Sequence, residues 1–146
     1  MLVSKEHIRE YLVQQDPIVM VDTILENTEN GVVTGFCPGP HNIFVLDGKF
    51  TEPGLVENMA QTAAAKAGYE ARLQNADPLV GFIGAVKNLK IYSLPNAESD
   101  LQTKMQITNR IMNVNIASIA VSCDEQVVAE CEMKIFLESE EKQQWV

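Results

Sequence analysis

The middle of the chain reads Glu52-Pro-Gly-Leu-Val-Glu-Asn-Met-Ala-Gln-Thr-Ala-Ala-Ala-Lys-Ala-Gly68, and this stretch predicts one long helix. Thr51 or Glu52 can cap the helix, and Pro53 is tolerated in the first turn because its missing N–H would be unpaired there anyway. Residues 55–67 are almost all apolar or small, and they cover most of the helix circumference. A helix that is apolar on nearly all sides is buried, so we expect a sheet to wrap around it.

Glu57 is the anomaly of this helix, since it is the only formally charged residue between Pro53 and Ala65. A carboxylate in a buried element must be paired, neutralised or functional. Gln61 lies one helical turn further on the same face, where it can orient the carboxyl by hydrogen bonding. The ordinary alternatives are a structurally tied carboxylate and a purely structural glutamine.

Length and composition predict a single globular domain over residues 1–146. A chain of 146 residues can bury a core without disulfides or metal staples, and the 46% apolar and 21% charged residues are typical of soluble proteins. No stretch is long and apolar enough to span a bilayer. The first residues lack the apolar core of a secretory signal, so we expect a cytoplasmic location.

The net charge bears on nucleic-acid binding, and the cysteines bear on metal binding. A formal net charge of −9 argues against nucleic acid, although basic residues between Lys66 and Arg110 can form a local patch. Cys37, Cys123 and Cys131 are odd in number and contain no close-spaced metal-ligand pair. We therefore interpret them as core thiols and expect no metal site.

Strand-like segments flank the central helix. A short amphipathic helix is predicted over 4–13, a loop with an Asp47-Gly48 turn over 41–52, and strands over 17–25, 31–37, 79–86, 87–94, 101–111, 114–123 and 127–137. This order predicts an α+β protein in which a curved antiparallel sheet packs around one helix.

Three motifs resemble a known family. Pro53-Gly-Leu-Val-Glu-Asn-Met-Ala-Gln61 is similar to the Pro-Gly…Glu-Ala-Met-Ala-Gln motif of the hot-dog-fold 3-hydroxyacyl-acyl-carrier-protein dehydratases of the FabZ and FabA type. Gln15-Asp-Pro-Ile-Val-Met-Val-Asp22 resembles that family's Pro-Phe-Leu-Leu-Val-Asp strand, and Val127-Val-Ala-Glu-Cys-Glu-Met133 resembles its closing Val-Val-Ala-Glu-Ala-Glu strand. The resemblance spans nearly the whole chain and implies the hot-dog fold.

The resemblance leaves more than one position for the family's catalytic histidine. The common pattern has Gly-His-Phe-Pro before the helix, and alignment on Phe44 or on Gly48 puts Ile43 or Lys49 at the histidine position. The aryl-polyene-type dehydratases are closer, because the His and Phe of their His-Pro-Phe…Gly…Glu-Tyr-Met-Ala-Gln pattern precede the Glu much as His41 and Phe44 do here. His41 is the candidate base, with an ordinary loop histidine as its alternative.

The implied activity is elimination of water from a 3-hydroxyacyl thioester in fatty-acid or polyene biosynthesis. His41 would remove the proton beside the carbonyl and Glu57 would protonate the departing hydroxyl. Backbone N–H groups at the helix start, including that of Gly54, would stabilise charge on the thioester oxygen. Gly54, Gln61 and Phe44 are the implied substrate contacts. The substrate would be carried on the phosphopantetheine arm of an acyl carrier protein or of coenzyme A, with no other cofactor.

The resemblance also implies a partner subunit. In the family the base and the carboxylate come from different subunits, so a homodimer, a higher oligomer or a heterodimer with a paralogue is expected. Two alternatives to a dehydratase stay open. One is a non-catalytic hot-dog subunit or acyl-binding partner of an active dehydratase, and the other is an acyl-thioesterase, since the same fold hosts thioester hydrolysis.

Overall fold

One long helix and an antiparallel sheet make up most of the chain. The computed structural model describes residues 1–76 and 81–137. They form a short 3-10 helix (Ile8–Tyr11), the strands β1 (Thr23–Asn27), β2 (Gly31–Phe36), β3 (Val45–Leu46) and β4 (Lys49–Phe50), the helix α1 (Glu52–Leu73), and the strands β5 (Gly81–Ile91), β6 (Leu101–Ile111), β7 (Val114–Cys123) and β8 (Gln126–Leu137). Within these residues no helix is both long and apolar enough to cross a membrane.

Six strands form the main sheet, in the order β1-β2-β6-β7-β8-β5, and every neighbouring pair is antiparallel. β3 and β4 form a separate small hairpin before α1. Side chains alternate between the faces of a strand, and in β6 every second residue from Leu101 to Ile107 is buried against the helix side. The predicted α+β architecture, a sheet packed around one helix, is confirmed.

The helix start differs in detail from the prediction. Thr51 occupies the N-cap position, but its side chain makes no capping hydrogen bond. Its hydroxyl instead donates to the carbonyl of Phe44 at 2.5 Å, and its N–H donates to the same oxygen at 3.0 Å. Thr51 therefore attaches the preceding loop to the helix, while Pro53 in the first turn agrees with the prediction.

The predicted strand boundaries shift at three places. Residues 17–22 are not part of β1, because side chains of α1 and not a neighbouring strand bind backbone groups of Ile18 and Met20. The predicted runs 79–86 and 87–94 form the single strand β5, which continues through a bulge where Asn88 has φ 54°. Residues 79 and 80 lie outside the described part of the chain. The N-terminal amphipathic helix is reduced to the 3-10 turn.

The helix α1 is neither apolar nor buried on all sides, in contrast to the prediction. The side that is buried against the sheet includes four polar residues, Asn58, Gln61, Thr62 and Lys66. The opposite side is only half-buried and is made largely of small residues, Val56, Ala60, Ala63, Ala64 and Ala67. Glu57 lies on the half-buried side. The helix is therefore enclosed on one side only, and its small residues remain accessible.

Candidate functional site

The carboxyl of Glu57 is held by the residue one turn further along the helix. Glu57 is half-buried in α1, and the side-chain Nε2 of Gln61 donates to its Oε1 at 2.8 Å. The hydrogen bond expected from the four-residue spacing is therefore present. It leaves the second carboxyl oxygen of Glu57 without a hydrogen bond to any residue in the described ranges.

The amide of Gln61 has only one usable orientation. Its Oε1 accepts from the backbone N–H of Met20 at 2.6 Å, and its Nε2 also donates to the carbonyl of Ile18 at 2.7 Å. Gln61 is fully buried, so a flipped amide would leave the Met20 N–H unpaired and place two oxygens against each other. The group facing Glu57 is consequently always a donor, which fixes the direction of the carboxyl.

The loop that contains His41 approaches this site through Met20. Asn42 Nδ2 lies 3.2 Å from the sulfur of Met20, and Asn42 Oδ1 accepts from the N–H of Phe44 at 2.8 Å. The contacts Glu57 to Gln61 to Met20 to Asn42 thus join the helix carboxyl to the residue beside His41. His41 itself is exposed, and its ring makes no hydrogen bond within residues 1–76 and 81–137.

Gly54 and Phe44 have a packing role that the sequence did not predict. A Cβ on Gly54 would lie 2.4 Å from Cε1 of the buried Phe50 ring and 2.8 Å from Cβ of Phe44. Only glycine allows both phenylalanines to pack on the first turn of α1. The space above the Gly54 Cα is therefore filled by protein, and the Gly54 N–H remains as its predicted substrate contact.

Two lysines are engaged by other residues: Lys49, which one alignment puts at the histidine position, and Lys66, from the predicted basic region. Lys49 is exposed and donates to Asn96 Oδ1 at 2.6 Å. Lys66 is buried, and its ammonium group is occupied by backbone carbonyls and by Glu70. The predicted patch therefore loses Lys66, which has a structural role.

Asn58 and Met20 are site residues that sequence reasoning missed. Asn58 is fully buried and donates to the carbonyl of Met20 at 2.7 Å. A polar residue on the buried face of an otherwise small and apolar helix was the available signal for Asn58. Met20 gave no signal, because its contacts come from residues about 40 positions away.

One long helix packed against a large antiparallel sheet is the architecture of the hot-dog fold, and Glu57 lies on the half-buried side of this helix. The family described as ApeP-like, ApeP dehydratase, matches residues 6–146. The chain belongs to this ApeP-like dehydratase family, which agrees with the resemblance found in the sequence. No curated protein matches the sequence.

Solved structures with the same fold include a dehydratase complex and thioesterases. The dehydratase heterocomplex ApeI:P from Xenorhabdus doucetiae is similar with a TM-score of 0.81 and 14% identity, covering 94% of this chain and 95% of that chain. The uncharacterized protein PH1136 from Pyrococcus horikoshii has a TM-score of 0.70, 11% identity and coverage of 90% and 93%. A hypothetical thioesterase with coenzyme A from Streptococcus pneumoniae TIGR4 has a TM-score of 0.65, 11% identity and coverage of 80% and 84%. At these identities the likeness establishes the hot-dog fold alone.

Proposed function

We propose that this protein dehydrates a 3-hydroxyacyl thioester, carried by an acyl carrier protein or by coenzyme A, to a trans-2-enoyl thioester. The observation that carries the proposal is the carboxyl of Glu57, half-buried beside small apolar residues and held in one direction by a fully buried glutamine. A rigidly held carboxyl with one free oxygen suits proton transfer to a bound substrate. Membership of the ApeP-like dehydratase family supports the same reaction class.

The proposed reaction needs one base and one acid. His41 takes the proton from the carbon beside the thioester carbonyl, and this electron pair forms the new carbon–carbon double bond. The bond between the next carbon and its hydroxyl breaks, and the Glu57 carboxylic acid gives its proton to that hydroxyl, which leaves as water. The backbone N–H of Gly54, at the positive end of the helix dipole, stabilises the charge that develops on the thioester oxygen.

A partner subunit is part of the proposal. β5 lies at one edge of the sheet, so the backbone groups on its outer side have no strand partner within the described part of the chain. Ile83 and Val86 face the core side, since their cross-strand partners Ile135 and Met133 are buried, yet Ile83 is 41% and Val86 is 39% exposed. An edge strand with exposed apolar side chains suits a second hot-dog subunit. A homodimer, or a heterodimer with a paralogue, would complete the site around Glu57.

A non-catalytic subunit of such an assembly is the second candidate. It is favoured by His41, whose exposed ring has no hydrogen-bonding partner to orient it among residues 1–76 and 81–137. A catalytic histidine usually has a partner that fixes its tautomer and direction. In this alternative the active base belongs to the other subunit, and the present chain holds the acyl group.

Hydration of a trans-2-enoyl thioester tests the proposal in the reverse direction. The native protein, Glu57→Gln and His41→Ala are assayed on an acyl carrier protein and on a pantetheine mimic, following loss of the conjugated enoyl absorbance. Removal of a general acid or base lowers the rate by about 100-fold or more, and we expect this loss for both variants. Glu52→Gln and His7→Ala are matched controls, because both residues are exposed, and they should retain most of the native rate.

The pattern of losses separates the candidates. Loss in Glu57→Gln with full rate in His41→Ala would remove His41 from the proposed mechanism. A native chain that is inactive alone and active only with a second hot-dog protein would favour the non-catalytic subunit. Release of free thiol without hydration would indicate a thioesterase and contradict the dehydratase proposal.

A further inference from the structure

Asn58 connects three elements at a fully buried position directly after Glu57. Its Nδ2 donates to the carbonyl of Met20 at 2.7 Å, and its Oδ1 accepts from the hydroxyl of Thr103 on β6 at 2.5 Å. Neither Asn58 nor Thr103 is more than 1% exposed. Both polar atoms of the amide are therefore satisfied. The Met20 carbonyl can only accept, so it fixes the donor side of the amide, and the Thr103 hydroxyl then donates to the remaining oxygen.

A second side chain of the same helix also forms a hydrogen bond to the Met20 backbone. Asn58 binds the carbonyl of Met20, while Gln61 binds its N–H, so both backbone polar groups of this residue are held by side chains of α1. Within the described residues, the backbone of Met20 itself makes no hydrogen bond to a strand, and the segment joins β2 only at Asp22, whose N–H donates to the Gly35 carbonyl at 2.9 Å. The hydrogen bonds that hold the Met20 backbone are therefore those of the two amides.

We propose that Asn58 is a positioning residue for the reaction proposed above, acting through Met20. By fixing the Met20 backbone it fixes the acceptor geometry of Gln61, and Gln61 in turn directs the carboxyl of Glu57. Asn42 contacts the Met20 sulfur, so the hydrogen bond from Asn58 to Met20 also positions the loop that contains His41. One buried amide thus contributes to the placement of Glu57 and of the His41 loop of this chain, whichever subunit supplies the other member of a reacting pair.

A purely structural asparagine would have a different distribution of contacts. The neighbouring buried pair Thr34 and Thr62, with oxygens 2.8 Å apart, also joins sheet and helix through polar atoms. Within the described residues its further hydrogen bond runs from the Thr62 hydroxyl to the backbone carbonyl of Asn58, and none reaches residues 18–20. The motifs that the sequence resembles have Ala or Tyr where this chain has Asn58, so the fold does not require an amide there. What distinguishes Asn58 is that its donor is directed at the Met20 segment.

Amide hydrogen exchange and kinetics of matched variants test this inference. Asn58→Ala removes the hydrogen bond from the Asn58 amide to the Met20 carbonyl. Thr34→Val removes one buried hydrogen bond from the same helix–sheet interface and leaves the Met20 contacts in place. We expect exchange of the Met20 N–H to accelerate about tenfold more in Asn58→Ala than in Thr34→Val. In the enoyl-thioester assay Asn58→Ala should lower kcat by about 10- to 100-fold with KM within about twofold of native, because misplaced groups slow chemistry more than binding.

Thr103 provides an independent pair of variants. Thr103→Val deletes the hydroxyl that donates to Oδ1 of Asn58 and leaves this buried oxygen without a donor, so it should reproduce part of both effects. Thr103→Ser keeps the hydroxyl and should restore them. Equal exchange of the Met20 N–H in Asn58→Ala and Thr34→Val would overturn the inference, as would equal losses of kcat. If the native protein has no hydratase activity, the proposed function fails, and the exchange experiment still decides whether Asn58 positions Met20.

Discussion

Asp22 is a half-buried carboxylate at the entry to β1, and its side chain accepts from the backbone N–H of Cys37 at 2.9 Å. Burial raises the pKa of Asp22 above its ordinary value; the Cys37 N–H and the charges of Lys5 and Arg9 oppose this rise, and Asp100 adds to it. A raised pKa means that the fold favours the protonated acid over the carboxylate. The charged form present at neutral pH is therefore a local cost to the native state.

Asp22→Asn should stabilise the protein at neutral pH. The folded-state pKa lies above the unfolded one, so the stabilising effect of the protonated acid is present at low pH and is lost as the pH rises through the folded pKa. Asparagine keeps an oxygen for the Cys37 N–H and never ionises. We expect a higher Tm than native at pH 7 and no gain near pH 3, measured by thermal unfolding at both pH values.

Asp16 is the control, because its pKa is shifted in the opposite direction to that of Asp22. It is exposed, and its hydrogen bond to Arg9 lowers the pKa of Asp16, so Asp16→Asn should leave the Tm at pH 7 unchanged or slightly lower. An Asp22→Asn variant that melts below native at pH 7 would contradict the argument. It would mean that the carboxylate itself, through Lys5 and Arg9, stabilises the fold.

Lys66 joins the helix to the turn between β1 and β2. Its Nζ donates to the carbonyls of Thr28 at 2.5 Å and Gly31 at 3.3 Å, and it forms an ion pair with Glu70 four residues along α1. The side chain is only 4% exposed, so these acceptors have little access to water. A buried ammonium with this many partners holds the turn against the helix.

Lys66→Met should destabilise the protein by about 2–4 kcal/mol, because the Thr28 carbonyl loses its donor and the Gly31 carbonyl and Glu70 each lose one of their donors. Urea unfolding measures the loss, and hydrogen exchange should show reduced protection at the Thr28 N–H, which bonds to Gly31. Lys104→Met is the matched control, since Lys104 is exposed on β6 and should change stability by less than about 0.5 kcal/mol. Equal effects of the two substitutions would show that the Lys66 contacts contribute little.

The elements that the sequence predicted correctly are those determined by local pattern. Period-two alternation located β6, and the Asp124-Glu125 turn separated β7 from β8, where both residues adopt positive φ. The length and small-residue content of α1 predicted a central helix. What local pattern could not give was the direction in which the helix faces, because the buried side is chosen by distant partners such as Thr103 and the turn carbonyls that bind Lys66.

In the whole molecule, too, the site has features that follow from local sequence and features that depend on residues distant in the sequence. The Gln61–Glu57 bond follows from helical spacing and was predictable, whereas the connection through Met20 to the His41 loop joins residues far apart in the sequence. Family membership was also readable, because the Met-Ala-Gln motif lies within one helix. The roles of His41, Glu57, Gly54, Gln61 and Phe44 in catalysis stay predictions for the assays above.

The two edges of the sheet differ in how they are protected. The N-terminal Val3 forms a β-bridge with Ile24 and covers the β1 edge. β5 has no such cover within the described residues, and its Lys87 and Lys90 lie opposite Glu132 and Glu130 of β8. Long uncovered edges are usually paired or blocked in native proteins. The β5 edge is therefore the expected contact surface between two subunits.

Val86→Lys should shift the native protein from dimer to monomer in sedimentation velocity, weakening self-association by at least about tenfold, because it places a charge on the apolar side of the free edge. Val13→Lys is the control: Val13 is 71% exposed near the N-terminal 3-10 helix and away from β5, so the substitution should leave association unchanged. A native chain that sediments as a monomer at every concentration would contradict a homodimer. Co-expression with a second hot-dog subunit would then test for a heterodimer. Val86→Lys should also weaken this heterodimer, since either partner must approach the same edge of β5.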